Sequence, residues 1–209
     1  MKQNYTPRKL FKIGCVLVSA IILNPIASAN TQTTNKIEAA DILSSIRANN
    51  PNTFDRMFVN YNAECSRFET ELLNIFRDAK SSDLQRCEAA FYLGEMHDAG
   101  AVNDLAGNIL LIPGGETSDR LSLLSFAPIP ADALVKIGIP SIPAIVRNLA
   151  ENDNADVRSL SLKVLYRIEG DKDIVQLRLL KAITAQKDSN KTARLQAALK
   201  SLAKTQFDK

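Results

Sequence analysis

Three stretches of the sequence carry the same helical pattern at intervals that a stacked array of helix pairs would produce. Leu93, Leu134 and Leu165 occupy equivalent positions, and each is followed three residues later by another apolar side chain. The intervals between them are 41 and 31 residues. A period in this range is typical of helical repeat arrays, and the longer interval then contains an insertion of about ten residues.

The break between two of these helices indicates how one layer of such an array turns into the next. In the stretch ALVKIGIPSIPAIVRNL, residues 133 to 149, Gly138 can close the first helix because glycine reaches positive φ without strain. Pro143 stands in the first turn of the next helix, where a missing N–H costs no hydrogen bond. Strand-type alternation is absent, so we predict an all-α protein with short connections.

The repeated units resemble those of the HEAT-like repeat family, in the short-period bacterial form also found in phycobilin-lyase-type proteins. The family unit reads Arg-x-x-Ala-Ala-x-x-Leu-Gly, then a short turn and a second helix. The first unit matches at Arg86, Ala89, Ala90, Leu93, Gly94, Ala101, Val102 and Leu105, and the second at Leu134, Ile137, Gly138, Pro140, Pro143 and Ala144. The resemblance implies an α-solenoid of stacked antiparallel helix pairs and a binding function.

The first 29 residues have the composition of a secretory signal peptide. Four basic residues precede an apolar run from Ile13 to Leu23, and small residues at 27 to 29 predict cleavage after Ala29. The apolar run is about half of the roughly 20 residues that a membrane-spanning helix needs, so no membrane span is expected after cleavage. We therefore expect an exported protein, either periplasmic or extracellular.

Behind the signal peptide the sequence predicts a short polar leader and one helical domain. The helical domain has an irregular N-terminal cap, then the repeats with their insertion, and then a capping helix. The predicted boundaries are 30–35 for the leader, 36–209 for the domain, 36–81 for the N-terminal cap, 82–187 for the repeats, 112–130 for the insertion and 188–209 for the C-terminal capping helix.

Charge is divided unevenly along the mature chain. Residues 30–157 hold 10 basic and 18 acidic side chains, whereas residues 158–209 hold 12 basic and 5 acidic ones. A basic end could bind a membrane surface or nucleic acid, but no aromatic residues are interleaved with its cations. We interpret the cations as the solvated faces of terminal repeats, whose leucines, including Leu177 and Leu180, are expected on the buried face.

A catalytic or metal-binding interpretation centres on His97, the single histidine, with Glu95 and Asp98 beside it. His97 falls at the helix-closing position that Gly138 holds in the next unit, which favours a structural role. One histidine without a second ligand nearby makes a poor zinc site. No nucleotide-binding or hydrolase motif occurs, so we predict no catalytic residue, metal or cofactor, with an enzyme using these three residues as the alternative.

The two cysteines of the mature chain, Cys65 and Cys87, could pair. An exported compartment favours a disulfide. Geometry opposes it: in a helical hairpin that turns near residues 79 to 82, the two Cα atoms differ in height by about 13 Å, beyond the roughly 4–7 Å that a disulfide spans. An early end to the first helix would restore the bridge, and the sequence leaves the question open.

The insertion carries a glycine pair, prolines and an apolar cluster. Its simplest interpretation is a short extra helix that packs its leucines against the array. Insertions in repeat proteins also contribute to binding, so a partner-binding role is the second interpretation. The residues to which we assign it are Arg120, Leu121, Leu124 and Phe126.

These observations favour a non-enzymatic interaction module or scaffold whose concave face binds another protein. Fold-level analogy supplies the binding function, and the identity of the partner and the oligomeric state stay open. A narrower alternative is an inhibitor or immunity-type protein that blocks an extracytoplasmic enzyme.

Overall fold

Helices form all the regular structure in the part of the chain that the structure describes. The structure, a computed structural model, describes residues 39–48, 65–113 and 128–204. No strand occurs in these ranges, which confirms the all-α prediction for them. The helices are α1 Ala39–Arg47, α2 Cys65–Arg77, α3 Asp83–Glu95, α4 Val102–Gly107, α5 Ile129–Ile137, α6 Ile142–Glu151, α7 Ala155–Glu169, α8 Lys172–Ala185 and α9 Ser189–Lys204.

Packing contacts divide the chain into two units, Met1–Asn35 and Lys36–Lys209, and all described residues belong to the second. The predicted signal peptide, its cleavage point at Ala29 and the leader 30–35 lie outside the described residues. So do the four insertion residues to which partner binding was assigned, Arg120, Leu121, Leu124 and Phe126.

Local sequence signals fix several helix ends. Ser82 and Gln85 form the expected capping box, since the Gln85 N–H donates to Ser82 Oγ at 3.2 Å and the Ser82 N–H donates to Gln85 Oε1 at 2.8 Å. The α2–α3 turn falls between Arg77 and Asp83, as predicted. α5 begins at Ile129, with Pro130 in its first turn, so it includes the last two residues of the predicted insertion.

The equivalent leucines lie at the centre of consecutive helix contacts. α5 packs against α3 on one side and α7 on the other, and α4 contacts both α5 and α6. Leu93 of α3, Leu134 of α5 and Leu165 of α7 are each 0% exposed. Each of these helices therefore contributes one of the three leucines to the hydrophobic core. The three leucines that the spacing selects are therefore all core residues.

Two joints connect helices in nearly the same way. After α5, Gly138 has φ 78° and the chain passes through a 3₁₀ turn, Ile139–Ser141, into α6, which lies at 116° to α5. After α3, His97 has φ 54° and the chain passes through the 3₁₀ turn Ala99–Ala101 into α4. Gly138 ends α5 as predicted. His97 shares its positive φ, but it follows the cap residue of α3, Met96, and the next turn is capped by Asp98.

Buried polar contacts support the joints and the helix ends. The Ser141 hydroxyl donates to the Leu134 carbonyl at 2.9 Å, and the same carbonyl accepts the Gly138 N–H at 3.0 Å at the end of α5. Arg86 and Arg158, which share a register in the repeats, each donate to carbonyl oxygens at the end of the preceding helix. Arg86 Nε bonds to the Phe76 carbonyl at 3.0 Å, and Arg158 Nη1 bonds to the Asn152 carbonyl at 2.8 Å.

Candidate protein-binding surface on helix α8

Helix α8 is apolar on two opposite sides, of which only one is buried. Successive residues of an α-helix are rotated by about 100°, so Val175 and Leu179 lie on one side and Leu177 lies on the other. Val175 and Leu179 are fully buried in the core. Ile174, Leu177 and Leu180 are 44%, 68% and 41% exposed. These three side chains are here called the α8 stripe.

The start of α8 is defined by the end of α7 and by a side-chain cap. Gly170 ends α7 in the left-handed conformation, with φ 69°. The Asp171 carboxylate then accepts the Asp173 N–H at 2.7 Å and the Ile174 N–H at 3.4 Å. This cap fixes the first turn of α8, because it satisfies backbone donors that have no partner within the helix.

Charged side chains lie beside the α8 stripe. Lys181 is exposed on the same side of the helix, and Arg178 pairs with Glu169 beside it. Asp173 is the only acidic residue within α8, against three basic ones. The surface therefore combines apolar side chains with one exposed lysine, which suits a partner segment with apolar residues and an acidic residue beside them.

The sequence prediction for Leu177 and Leu180 is wrong. Both were expected on the buried face of the basic helices, as Leu165, Leu195 and Leu202 are. The error arises because α8 carries apolar residues nearly all round, so that the hydrophobic pattern does not select one face. The signal that could have revealed the stripe is the presence of two apolar sets on one helix, at 175 and 179 and at 174, 177 and 180.

The three residues of the enzymatic alternative are each held in a structural contact. Glu95 pairs with Lys136, and His97 Nδ1 lies 2.5 Å from the Lys136 carbonyl oxygen, to which it can donate. The Asp98 carboxylate accepts the Gly100 N–H at 2.7 Å and caps a 3₁₀ turn. Among the described residues, no group of three His, Cys, Asp or Glu side chains could hold a metal ion. None of these contacts supports a catalytic arrangement.

Cys87 is a free, buried cysteine whose thiol lies 4.0 Å from the Leu111 carbonyl oxygen. Burial raises the pKa of this thiol to about 12, so it is neutral and unreactive at ordinary pH. Cys65 is the first residue of α2, and its side chain lies outside the described ones. The disulfide between the two cysteines stays a prediction.

Glu88, next to Cys87, is the most unusual polar residue of the core. It is 0% exposed, and neither carboxylate oxygen has a hydrogen-bond partner among the described residues. Burial raises its pKa to about 8. Tyr92, one turn later, has its pKa raised to about 12 by burial and by the Glu88 charge. Sequence reasoning missed Glu88, because a single glutamate within a helix gives no signal that it is buried.

Comparison of the chain with protein families, curated proteins and solved structures found no match. In the described ranges, no single helix has both the length and the apolar composition to cross a membrane. Only when two consecutive helical segments are taken together, Ile129–Ile137 and the bent continuation Ile139–Glu151, are that length and composition reached. The class defined by the geometry is an all-α protein with an exposed apolar helix face.

Proposed function

We propose that this protein is a non-enzymatic protein-binding module that holds its partner through the α8 stripe. The observation that carries the proposal is the exposure of Ile174, Leu177 and Leu180 on a helix whose other side is buried. Scattered surface leucines are ordinary, but an aligned set on one helix face is typical of an interaction site.

The proposal includes a HEAT-like array as the scaffold that presents α8. Two features support it: the shared burial of Leu93, Leu134 and Leu165, and the two joints at His97 and Gly138 with positive φ. In arrays of this kind each helix pair needs a neighbour to cover its apolar surface. An exposed apolar side of α8 is therefore a place where a partner can replace the missing neighbour.

Energy and charge define the kind of partner. Covering a leucine or isoleucine side chain contributes about 1.5–3 kcal/mol, so a central pair such as Leu177 and Leu180 can provide a binding hot spot. The region from 158 to 209, to which α8 belongs, has 12 basic and 5 acidic residues. We therefore expect an amphipathic helix with acidic residues beside its apolar face, which follows the helix-in-groove mode of recognition.

The sequence of residues 1–29 supports an exported location for this interaction, in the periplasm or outside the cell. Within the same class, an inhibitor or immunity-type protein would bind its target enzyme through the same surface. It stays an alternative because the α8 stripe suits both roles.

A site-specific photo-crosslinker tests the proposal. It is placed at Leu177 in the full chain, and cells producing the protein are irradiated. We expect one discrete crosslinked partner, identified by mass spectrometry. With that partner purified, Leu177→Asp should weaken binding by about tenfold or more in calorimetry, since it removes an apolar contact with the partner and places a carboxylate against the partner's acidic residues.

The matched control is Gln176→Asp, which adds the same charge at the neighbouring exposed position of α8. It should change affinity by about threefold at most. Equal losses for the two variants would attribute the effect to charge alone and contradict the α8 stripe. A crosslinked product made only of two copies of this chain would replace the proposed partner with self-association.

A further inference from the structure

A second surface of the molecule forms a groove at the junction of α6, α7 and α9. Its volume is about 240 Å³. One wall is the face of α7 from Ala155 to Lys163, the other is the face of α9 from Arg194 to Ser201, and Leu149 of α6 closes the base. The groove exists because alanine and serine side chains meet across the two helices and leave the space unfilled.

Three cationic side chains line this groove: Arg158, Lys163 and Arg194. Arg158 Nη1 donates to the Asn152 and Asp153 carbonyls, both at 2.8 Å. Arg194 Nη1 donates to the Glu151 carbonyl at 2.7 Å. Both guanidinium groups are thus fixed against the end of α6. Each has five N–H donors, so both keep donors that these contacts do not use.

The charges in the groove are only partly balanced. Arg194 pairs with the Asp153 carboxylate, whose side chain is 90% exposed. Neither Arg158 nor Lys163 forms an ion pair within the described part of the chain. Two positive charges therefore line the groove together with Ser159, whose hydroxyl can donate a hydrogen bond.

We propose that this groove binds the phosphate group of a small ligand. A phosphate monoester carries about two negative charges at neutral pH, which matches the two unbalanced cations. Fixed guanidinium groups with a lysine and a hydroxyl are the donors that bind phosphate oxygens. A volume of about 240 Å³ is below the roughly 300–1,000 Å³ of drug-sized sites, so the group is held on a compact ligand. The site is separate from the α8 stripe and does not depend on it.

Calorimetric titration of the full chain with inorganic phosphate and with glycerol 3-phosphate, at constant ionic strength, tests the proposal. We expect saturable one-to-one binding that Lys163→Gln weakens by about tenfold. Lys163 is exposed, so this variant should keep the wild-type melting temperature. The matched control is Lys200→Gln, an exposed lysine on the outer side of α9, which should weaken binding by twofold at most.

Two arms of the experiment identify the source of the phosphate. Vesicles that contain phosphatidic acid, if bound by the wild type and released by Lys163→Gln, would assign the group to a lipid. Binding of glycerol 3-phosphate alone would assign it to a soluble ester, and either result supports the site. Equal losses for the two lysine variants, tighter binding of succinate than of phosphate, or no saturable binding would overturn it.

Discussion

Glu88 shows how one residue can make the stability of the fold depend on pH. Its carboxyl group has no hydrogen-bond partner among the described residues and is enclosed by α3 and the helices around it. Ionisation in such a place is costly, because the charge loses its water without gaining a partner. The folded protein therefore keeps this carboxyl protonated over a range in which an unfolded chain would release the proton.

Replacing Glu88 with glutamine should remove this pH dependence. The pKa in the folded state is about 8 against an ordinary value of 4.5, so the folded state binds the extra proton between those values. Stability should therefore fall as pH rises from about 5 to 8 in the wild type. One pKa unit corresponds to about 1.4 kcal/mol, and Glu88→Gln should gain roughly 2–4 kcal/mol over the wild type at pH 8.5.

Urea unfolding at pH 5 and at pH 8.5 measures the effect. Glu151→Gln is the control, because the hydrogen bond from Lys191 lowers the pKa of this exposed carboxyl. This control should show no gain in stability at high pH. A wild type with the same unfolding free energy at both pH values, matched by Glu88→Gln, would show that Glu88 ionises freely in the folded protein.

His97 illustrates what could be predicted at the residue scale. The register of the repeats placed it at the position of Gly138, and the structure gives both residues positive φ. That prediction needed only the local sequence, because the regular period of a helix relates residue spacing to position. The hydrogen bond from His97 to the Lys136 carbonyl could not be predicted, because it depends on how closely α3 and α5 approach each other.

At the scale of elements, α3 and α5 approach unusually closely at Gly94. A Cβ atom on Gly94 would lie 2.6 Å from the Ala133 Cα and 2.8 Å from its Cβ. Only glycine can occupy this position without a shift of the backbone. The sequence analysis matched Gly94 to the glycine of the HEAT-like unit, and the close helix contact gives a physical reason for glycine at this position.

We expect Gly94→Ala to destabilise the protein by about 1–3 kcal/mol, because the two helices must separate to relieve the overlap. A loss of stability would be informative, because alanine in an open helix interior normally stabilises by up to about 1 kcal/mol relative to glycine. The comparison is Gly107→Ala at the end of α4, where nothing lies within 4 Å of the added Cβ.

Chemical denaturation of both variants gives the answer. Gly107→Ala should be neutral or slightly stabilising, whereas Gly94→Ala should shift the midpoint to lower urea. If Gly94→Ala proves as stable as the wild type, α3 and α5 do not approach as closely as the structure has them.

Helix existence, helix ends and the buried leucines follow from sequence because they depend on spacings of three or four residues. The exposure of one side of α8 cannot be predicted from such spacings. Val175 and Leu177 belong to one short segment, and only the positions of α7 and α9 decide which of them is covered. The same holds for the groove, whose walls come from residues 155–163 and 194–201, brought together by the fold.

For the whole molecule, α9 is the helix that ties distant parts together. It contacts α8, α7 and also α6, and it buries Leu195, Ala198 and Leu202. Its Lys191 pairs with Glu151 at 2.6 Å, and its Arg194 pairs with Asp153, both at the end of α6. α9 thus contacts all three preceding helices, and its ion pairs join residues about 40 positions apart in the sequence.

A chain that ends at Lys187 and lacks α9 should lose much of its stability. The loss should be about 4 kcal/mol or more, because Leu195 and Leu202 alone bury side chains worth roughly 1.5–3 kcal/mol each. Thermal unfolding followed by circular dichroism measures it. Gln196→Ala, at an exposed position of α9, is the control and should stay within about 0.5 kcal/mol of the wild type. An unchanged melting temperature after truncation would show that α9 is a passive cover.

The contact between α6 and α9 also sets a waiting time during synthesis. Arg194 donates to the carbonyl of Glu151, which is 43 residues earlier. A ribosome adds about 5–20 residues per second, so the end of α6 emerges roughly 2–9 s before its partner does. Until then Leu149, which lines the groove together with residues of α9, lacks that helix as a neighbour.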